Sequence, residues 1–382
     1  MDTAWLFNGF EVKTRLDTPE RPETAAELRT RPEAYRVEVV VHADSPTPAR
    51  TAEDLAEVNP KLPHLFTDFN LLMETATVSP AFSELYARKQ RWMQSRLARL
   101  ETLLSRHNYF DCETILQWQH PVSGRRALLM QGDMDVNTDG SDGDRNVELD
   151  VSSPTFQPQT SYRWPKLTQR VNPALAGIEK ALVAAKSELS TPGISAAREK
   201  ELKPRIDQLA STMSELRRVS FLVATSDPYI VVPLFMLDSG QKEWQPRIGD
   251  SALVIADNQI FPAIVGDAGP SHKFGEASLR IARQINLRAT GMSRPVSSLR
   301  ITYVVFPQTA ERPMTAPDLA AWGARAQKHL TELGGSPVEL YTWPDIVKPW
   351  PTPTPLPSPS PTPSVVSETP KPGQEPSPPG PG

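Results

Sequence analysis

A chain of 382 residues with a formal net charge of −4 can bury a full core, and its charge gives no pull toward nucleic acid or an anionic membrane. Its single cysteine, Cys112, rules out an intrachain disulfide and a cysteine-built metal site, and no apolar run reaches the length of a membrane helix. The opening residues, Met1 to Phe7, lack the basic start and apolar stretch of a signal peptide, so either the protein stays inside the cell or a leader has already been removed.

Taken in order, Trp5 to Val12 and Val37 to Val41 read as strands and Pro46 to Arg50 as a loop. Leu85, Trp92, Leu97, Leu100 and Leu104 recur among Arg and Glu at helical spacing, which predicts a core-covering helix over Ala81 to Arg106. Thr114 to Gln119 and Arg126 to Met130 are two strands joined by the turn Pro121-Val-Ser-Gly124. The second leads into the most acidic stretch of the chain, which holds Asp133, Asp135, Asp139, Asp142 and Asp144. Asp135 to Gly140 matches the start of a calcium loop, with oxygen ligands at alternate positions and then a glycine. Asn146 stands where the closing bidentate carboxylate belongs, and no helix pair flanks the segment. A looser calcium site, a solvated acidic turn and a surface for a polycation remain as readings of it.

Tyr162 and Trp164 follow in an extended segment, where they either stack on sugar rings or pack into the core. Ala174 to Leu189 and Ala196 to Arg218 read as a helical hairpin (173–218), broken at Thr191-Pro-Gly-Ile and capped by Ser195. Pro204 predicts a kink or a late start in the second helix. Ser220 to Ala224 and Tyr229 to Phe235 resume the strands, so the hairpin is an insertion whose expected role is scaffold. Leu299 to Phe306 is a buried strand, and Leu319 to Leu333 an amphipathic helix closed by Gly334-Gly335. The proline-rich run from about Lys348 cannot bury a core and should be extended and disordered.

Between these lies Ser251 to Val265, two apolar runs split by Asp257-Asn258, which is a hairpin signature. Asp267 comes just beyond the second run. Past a loop rich in Gly and Pro, Glu276 opens a helix marked by Leu279, Ile281, Ala282 and Ile285. Two carboxylates at the ends of rigid elements can face one cleft and act as general acid and base. A plain structural role accounts for the same residues: Glu276 favours its helix N-terminus and Asp267 caps a turn. His272 sits beside this cleft as a candidate contact or a loop hydrogen-bonder. No nucleophile elbow, zincin motif, phosphate loop or dinucleotide fingerprint occurs, and the six histidines are scattered.

The ordered set Asp133-Met-Asp-Val-Asn-Thr-Asp-Gly140, Asp227-Pro-Tyr-Ile-Val-Val232, Gly266-Asp267, Gly275-Glu-Ala-Ser278 and Leu299 to Phe306 resembles the family-75 glycoside hydrolases, chitosanases first described in fungi. The resemblance covers roughly residues 107–310. It implies that Asp267 and Glu276 are the catalytic carboxylates of an inverting enzyme, needing no cofactor and no metal. It also implies secretion or a place in the cell envelope. Chitosan carries ammonium groups, so Asp133, Asp135, Asp139 and Asp142 would line its cleft, with Tyr162, Trp164 and His272 as further contacts. The loop between the carboxylates is shorter than in the fungal members, and the hairpin and the N-terminal region are additions. The fold expected is α+β: a β-rich core, a small barrel such as the double-psi kind, with the inserted hairpin and peripheral helices. Residues 1–106 would pack on a glycosidase domain of 107–345, followed by a tail of 346–382. Competing functions are a calcium-stabilised glycan-binding module without turnover and a hydrolase of another envelope polysaccharide.

Overall fold

A computed structural model describes residues 24–31, 34, 43–99 and 104–350. The strands expected at Trp5 to Val12 and Val37 to Val41, and the proline-rich run past residue 350, lie outside the described residues. The chain parts into two units, Met1–Lys348 and Pro349–Gly382, and the architecture that follows belongs to the first.

The strands are β1 (Thr77–Val78), β2 (Cys112–Gln119), β3 (Arg126–Asn137), β4 (Arg163–Pro165), β5 (Val219–Phe221), β6 (Tyr229–Pro233), β7 (Ser251–Ala256), β8 (Gln259–Gly269), β9 (Glu276–Ser278) and β10 (Val296–Val305). Helices α1 (Ala25–Thr30), α2 (Ala52–Val58), α3 (Leu62–Leu65), α4 (Phe69–Thr75), α5 (Pro80–Leu97) and α6 (Arg106–Tyr109) precede β2 or flank β1. The others are α7 (Leu175–Leu189), α8 (Ala196–Leu216), α9 (Leu279–Ile285) and α10 (Leu319–Glu332).

Six strands close into a barrel in the order β3-β10-β7-β8-β6-β9, shut by the pairing of β9 with β3, while β1 and β2 extend the sheet beyond β3. Two neighbours run parallel, β6 with β8 and β3 with β9. With about 35% helix and 21% strand among the described residues, the fold is α+β with a β-rich core. Alternation along the strands explains why they read as unbroken apolar runs. On β7 and β10, Val254 and Tyr303 point into one core with Met130, Phe261 and Ile281. Their neighbours Leu253, Ile255 and Val304 point the other way, into a second core with Leu55, Leu72 and Leu330 of α2, α4 and α10. A strand buried on both faces has no polar side to show, and each buried Leu, Val or Ile contributes about 1.5–3 kcal/mol over its exposed state.

Local signals set the boundaries. Asp257 adopts φ 51°, the left-handed turn position that its short polar side chain tolerates, so β7 and β8 form the expected hairpin. The Ser195 hydroxyl accepts from Arg198 N and starts α8. Three expectations shift. The helix from residue 80 stops at Leu97, with a separate α6 further on. Pro204 does not delay the start of α8, which begins at Ala196 and carries the proline inside it. Glu276 does not open a helix: it begins β9, and the helix starts after Ser278. The bonding edges of β3 and β6 capture this short segment, a tertiary effect that outweighs its local sequence.

Candidate active site

β8 and β9 both border β6, and each carries one of the two carboxylates. Val231 is the register partner of Asp267, just past an irregularity in the β6–β8 ladder, and Ile230 is the partner of Ala277. On its other side β9 pairs in parallel with β3, which sets Glu276 opposite Asp135. The loop between β8 and β9 folds back on β3. Gly275 has φ +85°, and a Cβ there would stand 2.5 Å from Asp133 O, so this position needs glycine. Its carbonyl accepts from Asp135 N at 2.9 Å and from the buried Tyr303 hydroxyl at 3.1 Å.

Asp267 and Glu276 line one cavity of about 520 Å³ together with Asp139, Ser161, Arg163 and Glu215. A second cavity shares Ser161 and Arg163 with the first and continues past Arg247, Arg312 and Met314. A cleft thus runs on beyond the carboxylates. A Cβ on Gly269 would sit 3.0 Å from Val231 Cγ1 and in ordinary contact with Glu276 Oε2 at 3.4 Å.

The two carboxyl groups are held differently. One oxygen of Asp267, Oδ1, accepts from Ser161 N at 2.9 Å, Ser161 Oγ at 2.6 Å and Ala268 N at 2.8 Å. Burial pushes the Asp267 pKa up, and these donors pull against it. Glu276 has Lys273 Nζ 3.5 Å from Oε1. Burial raises its pKa first; Lys273 opposes, while the charges of Asp135 and Asp267 push the same way as burial. Asp139 is pushed up to about 7, chiefly by burial and also by Asp267 and Glu276, against the pull of Gln157 N and Asn137.

Of the four aspartates expected to face a polycation, Asp139 lines the cavity and the others are engaged elsewhere. Asp133 is buried at 2.8 Å from Arg294, which also meets Asp135 at 2.7 Å. Asp142 is buried and paired with Arg145, which makes a bidentate contact with Asp227. These aspartates hold arginines because their segment is threaded through the fold and is not a surface loop. Of the oxygens that suggested a calcium loop, Asp135 meets Arg294, Asn137 Oδ1 accepts from Asp139 N and the Tyr229 hydroxyl, and Asp139 Oδ1 accepts from Gln157 N. Among the described residues, no group of three or more His, Cys, Asp or Glu is placed to hold a metal.

Tyr162 and Trp164 belong to the core, not to the cleft surface. They are 7% and 2% exposed, stand edge-on to each other, and the Tyr162 hydroxyl donates to Thr315 O. Each aromatic sits on the inward side of its segment, where its apolar area outweighs any use as a platform. His272 is outside the cavity lining, stacked on Trp92 at 4.5 Å; burial, then Lys89 and Lys273, bring its pKa down to about 4.

Sequence reasoning missed Glu215 and Arg163. β4 and β5 pair at the base of the hairpin, and this pairing brings Glu215, in the last turn of α8, to Arg163 at 2.9 Å and to Gln159 Nε2 at 2.5 Å. The hairpin therefore contributes a wall of the cleft. No signal in the sequence marks Glu215 off from the other acids of α8. Ser161 was equally silent, because its role depends on meeting Asp267 from a segment 106 positions away.

A closed barrel whose cleft holds two half-buried carboxyl groups, one tightly hydrogen-bonded and one loosely, suits a polysaccharide hydrolase. Residues 134–338 match the family model described as fungal chitosanase of glycosyl hydrolase group 75. That is more than half of the chain, which therefore belongs to this family, and it is a glycoside hydrolase of chitosanase type. Among curated proteins no match is found.

Proposed function

We propose that the protein cleaves chitosan internally, at β-1,4 glucosamine linkages, by a single displacement that inverts the anomeric centre. One observation carries this reading: Asp267 and Glu276 open into the same cavity with unequal hydrogen-bonding. A carboxyl group that accepts three hydrogen bonds on one oxygen is favoured as the anion and is held in orientation. A half-buried carboxyl beside other acids, opposed by one lysine at 3.5 Å, retains its proton more readily. Glu276 is accordingly the general acid and Asp267 the general base. Glu276 protonates the glycosidic oxygen as the bond from C1 breaks. Asp267 takes a proton from water as its oxygen adds to C1 from the opposite face.

The short strand β9 also removes a conflict. A glutamate opening a helix would be favoured as the anion, whereas Glu276 lies ahead of α9 and keeps the raised pKa an acid needs. The second cavity toward Arg247 supports endo action, since it leaves room for further sugars beyond the carboxylate pair. Asp139, facing both carboxyls, supplies negative charge for an ammonium group. Residues 107–345 form the glycosidase domain in this reading. Its polymeric substrate places the enzyme outside the cell or in its envelope, and no helix among the described residues is long and apolar enough to cross a membrane.

Arg163, Arg247 and Arg312 along the second cavity favour one alternative, an envelope glycan that carries anionic groups. The decisive experiment measures new reducing ends from chitosan, chitin and peptidoglycan, and follows the first-formed anomer by NMR. Asp267→Asn and Glu276→Gln should each lower kcat on chitosan by at least about 100-fold, with binding and Tm close to wild type. Wild-type turnover in either variant refutes this site, and a β-anomeric first product refutes inversion.

A further inference from the structure

The family match begins at residue 134, yet the loop that joins the two carboxylates is held by side chains that precede it. Lys89, on α5, is fully buried, and its ammonium donates to Asp111 Oδ2 at 2.7 Å, Asn108 O at 2.7 Å and His272 O at 2.8 Å. All three of its donors are thus used. The same Asp111 oxygen accepts from Phe274 N at 3.2 Å. One ion pair therefore grips the backbone on either side of Lys273, the residue whose ammonium faces Glu276. Trp92, also on α5, stacks on His272 at 4.5 Å. From the opposite side, Phe274 packs edge-on against Tyr303 at 5.7 Å.

A buried ion pair is poor evidence of stabilisation, because desolvation cancels most of its attraction and an apolar pair of similar volume often does as well. The loop contacts give this pair a different use: an apolar pair could accept neither the His272 nor the Phe274 backbone. We propose that Lys89 and Asp111 are positioning residues that clamp the 270–275 loop and so fix Lys273 and Glu276, making α5 a working part of the active site. The inference rests on the proposed role of Glu276, but the clamp itself can be read without activity.

The test is the double variant Lys89→Met, Asp111→Leu, in which no charge is left buried alone. Hydrogen exchange at amides 271–275 should speed up while the barrel amides stay protected. kcat on chitosan should fall by at least about tenfold with KM within about twofold, the pattern of a misplaced acid. The alkaline limb of the pH–rate profile should move up as Lys273 leaves Glu276. Wild-type loop exchange in the folded double variant overturns the clamp, whatever the activity. Faster loop exchange with unchanged kcat and pH profile overturns its link to catalysis. Should the double variant fail to fold, Lys89→Met with Asp111→Asn decides: it keeps the side-chain shapes and removes both charges, and wild-type exchange and kcat there overturn the proposal. Glu276→Gln at full activity instead removes the site reading and leaves the exchange result standing.

Discussion

Lys273 and Glu276 are three residues apart and face each other at 3.5 Å, so the loop carries its own regulator of the proposed acid. The lysine draws the Glu276 pKa down, against burial and the two neighbouring aspartates. Replacing it with methionine keeps the stem and removes the charge. Glu276 then holds its proton to higher pH, and a general acid works only while protonated. Lys273→Met should therefore move the alkaline limb of kcat/KM to higher pH, with the acid-side plateau within about twofold of wild type. An alkaline limb that stays put in a full pH–rate profile would mean that another group sets it. Ser161 offers the complementary case at Asp267. Ser161→Ala deletes the 2.6 Å hydroxyl contact but keeps the backbone donor, so kcat should drop by about three- to tenfold, on the scale of one charge-assisted hydrogen bond.

Strand β3 brings Asp133 and Asp135 into a cluster of charged side chains. Asp111, Asp133 and Asp135 face the two cations Lys89 and Arg294. Burial is the main cause that holds Asp133 up at about 8; Arg294 pulls it down, and Asp111 and Asp135 push it up. A carboxyl that keeps its proton in the fold but loses it near pH 4 when unfolded contributes stability that is complete below about 4. That contribution is lost as pH rises to the folded value. Stability should therefore decline between roughly pH 4 and 8, at up to about 1.4 kcal/mol per pH unit for each such proton. Asp133→Asn should flatten this decline, which urea unfolding at several pH values would reveal; an unchanged slope would assign the proton elsewhere. The elements themselves were legible where a local signal sufficed: the β7–β8 hairpin from Asp257, α8 from its Ser195 cap, α10 from its periodicity and Gly334. They were not legible where tertiary pairing decided. Glu276-Ala-Ser278 reads as a helix start until β3 and β6 claim it, and Asp133 and Asp142 read as surface charge until Arg294 and Arg145 meet them. Asp267 and Glu276 were visible as a pair because the chain brings them close in sequence; Glu215 arrives by the fold alone.

At the scale of the whole molecule, electrostatics should show in how the enzyme meets its polymer. The net charge of −4 is spread over 41 basic and 45 acidic residues, so long-range attraction to polycationic chitosan is weak. The attraction has to come from the cleft, and the acids there are not equally free. Glu215 is compensated by Arg163, Asp267 is tied to Ser161, and beyond them Arg247 and Arg312 make the far end basic. Asp139 remains as cleft charge, but its pKa of about 7 leaves it only partly ionised at neutral pH. Two consequences follow for KM. It should rise with added salt, since exposed charge pairs are screened over about 10 Å at 0.1 M. It should also be lowest between about pH 6 and 7, where Asp139 is partly ionised and part of the substrate's amino groups still carry their proton. Asp139→Asn should raise KM about two- to fivefold at that minimum and low salt, within the range of a partly exposed ion pair. It should flatten both dependences and leave kcat within about threefold. Steady-state kinetics on a soluble glucosamine oligomer at two salt concentrations and two pH values would test all of this. A variant that lost kcat at constant KM would move Asp139 from substrate attraction into the chemistry itself, as a third carboxylate tuning Glu276 and Asp267.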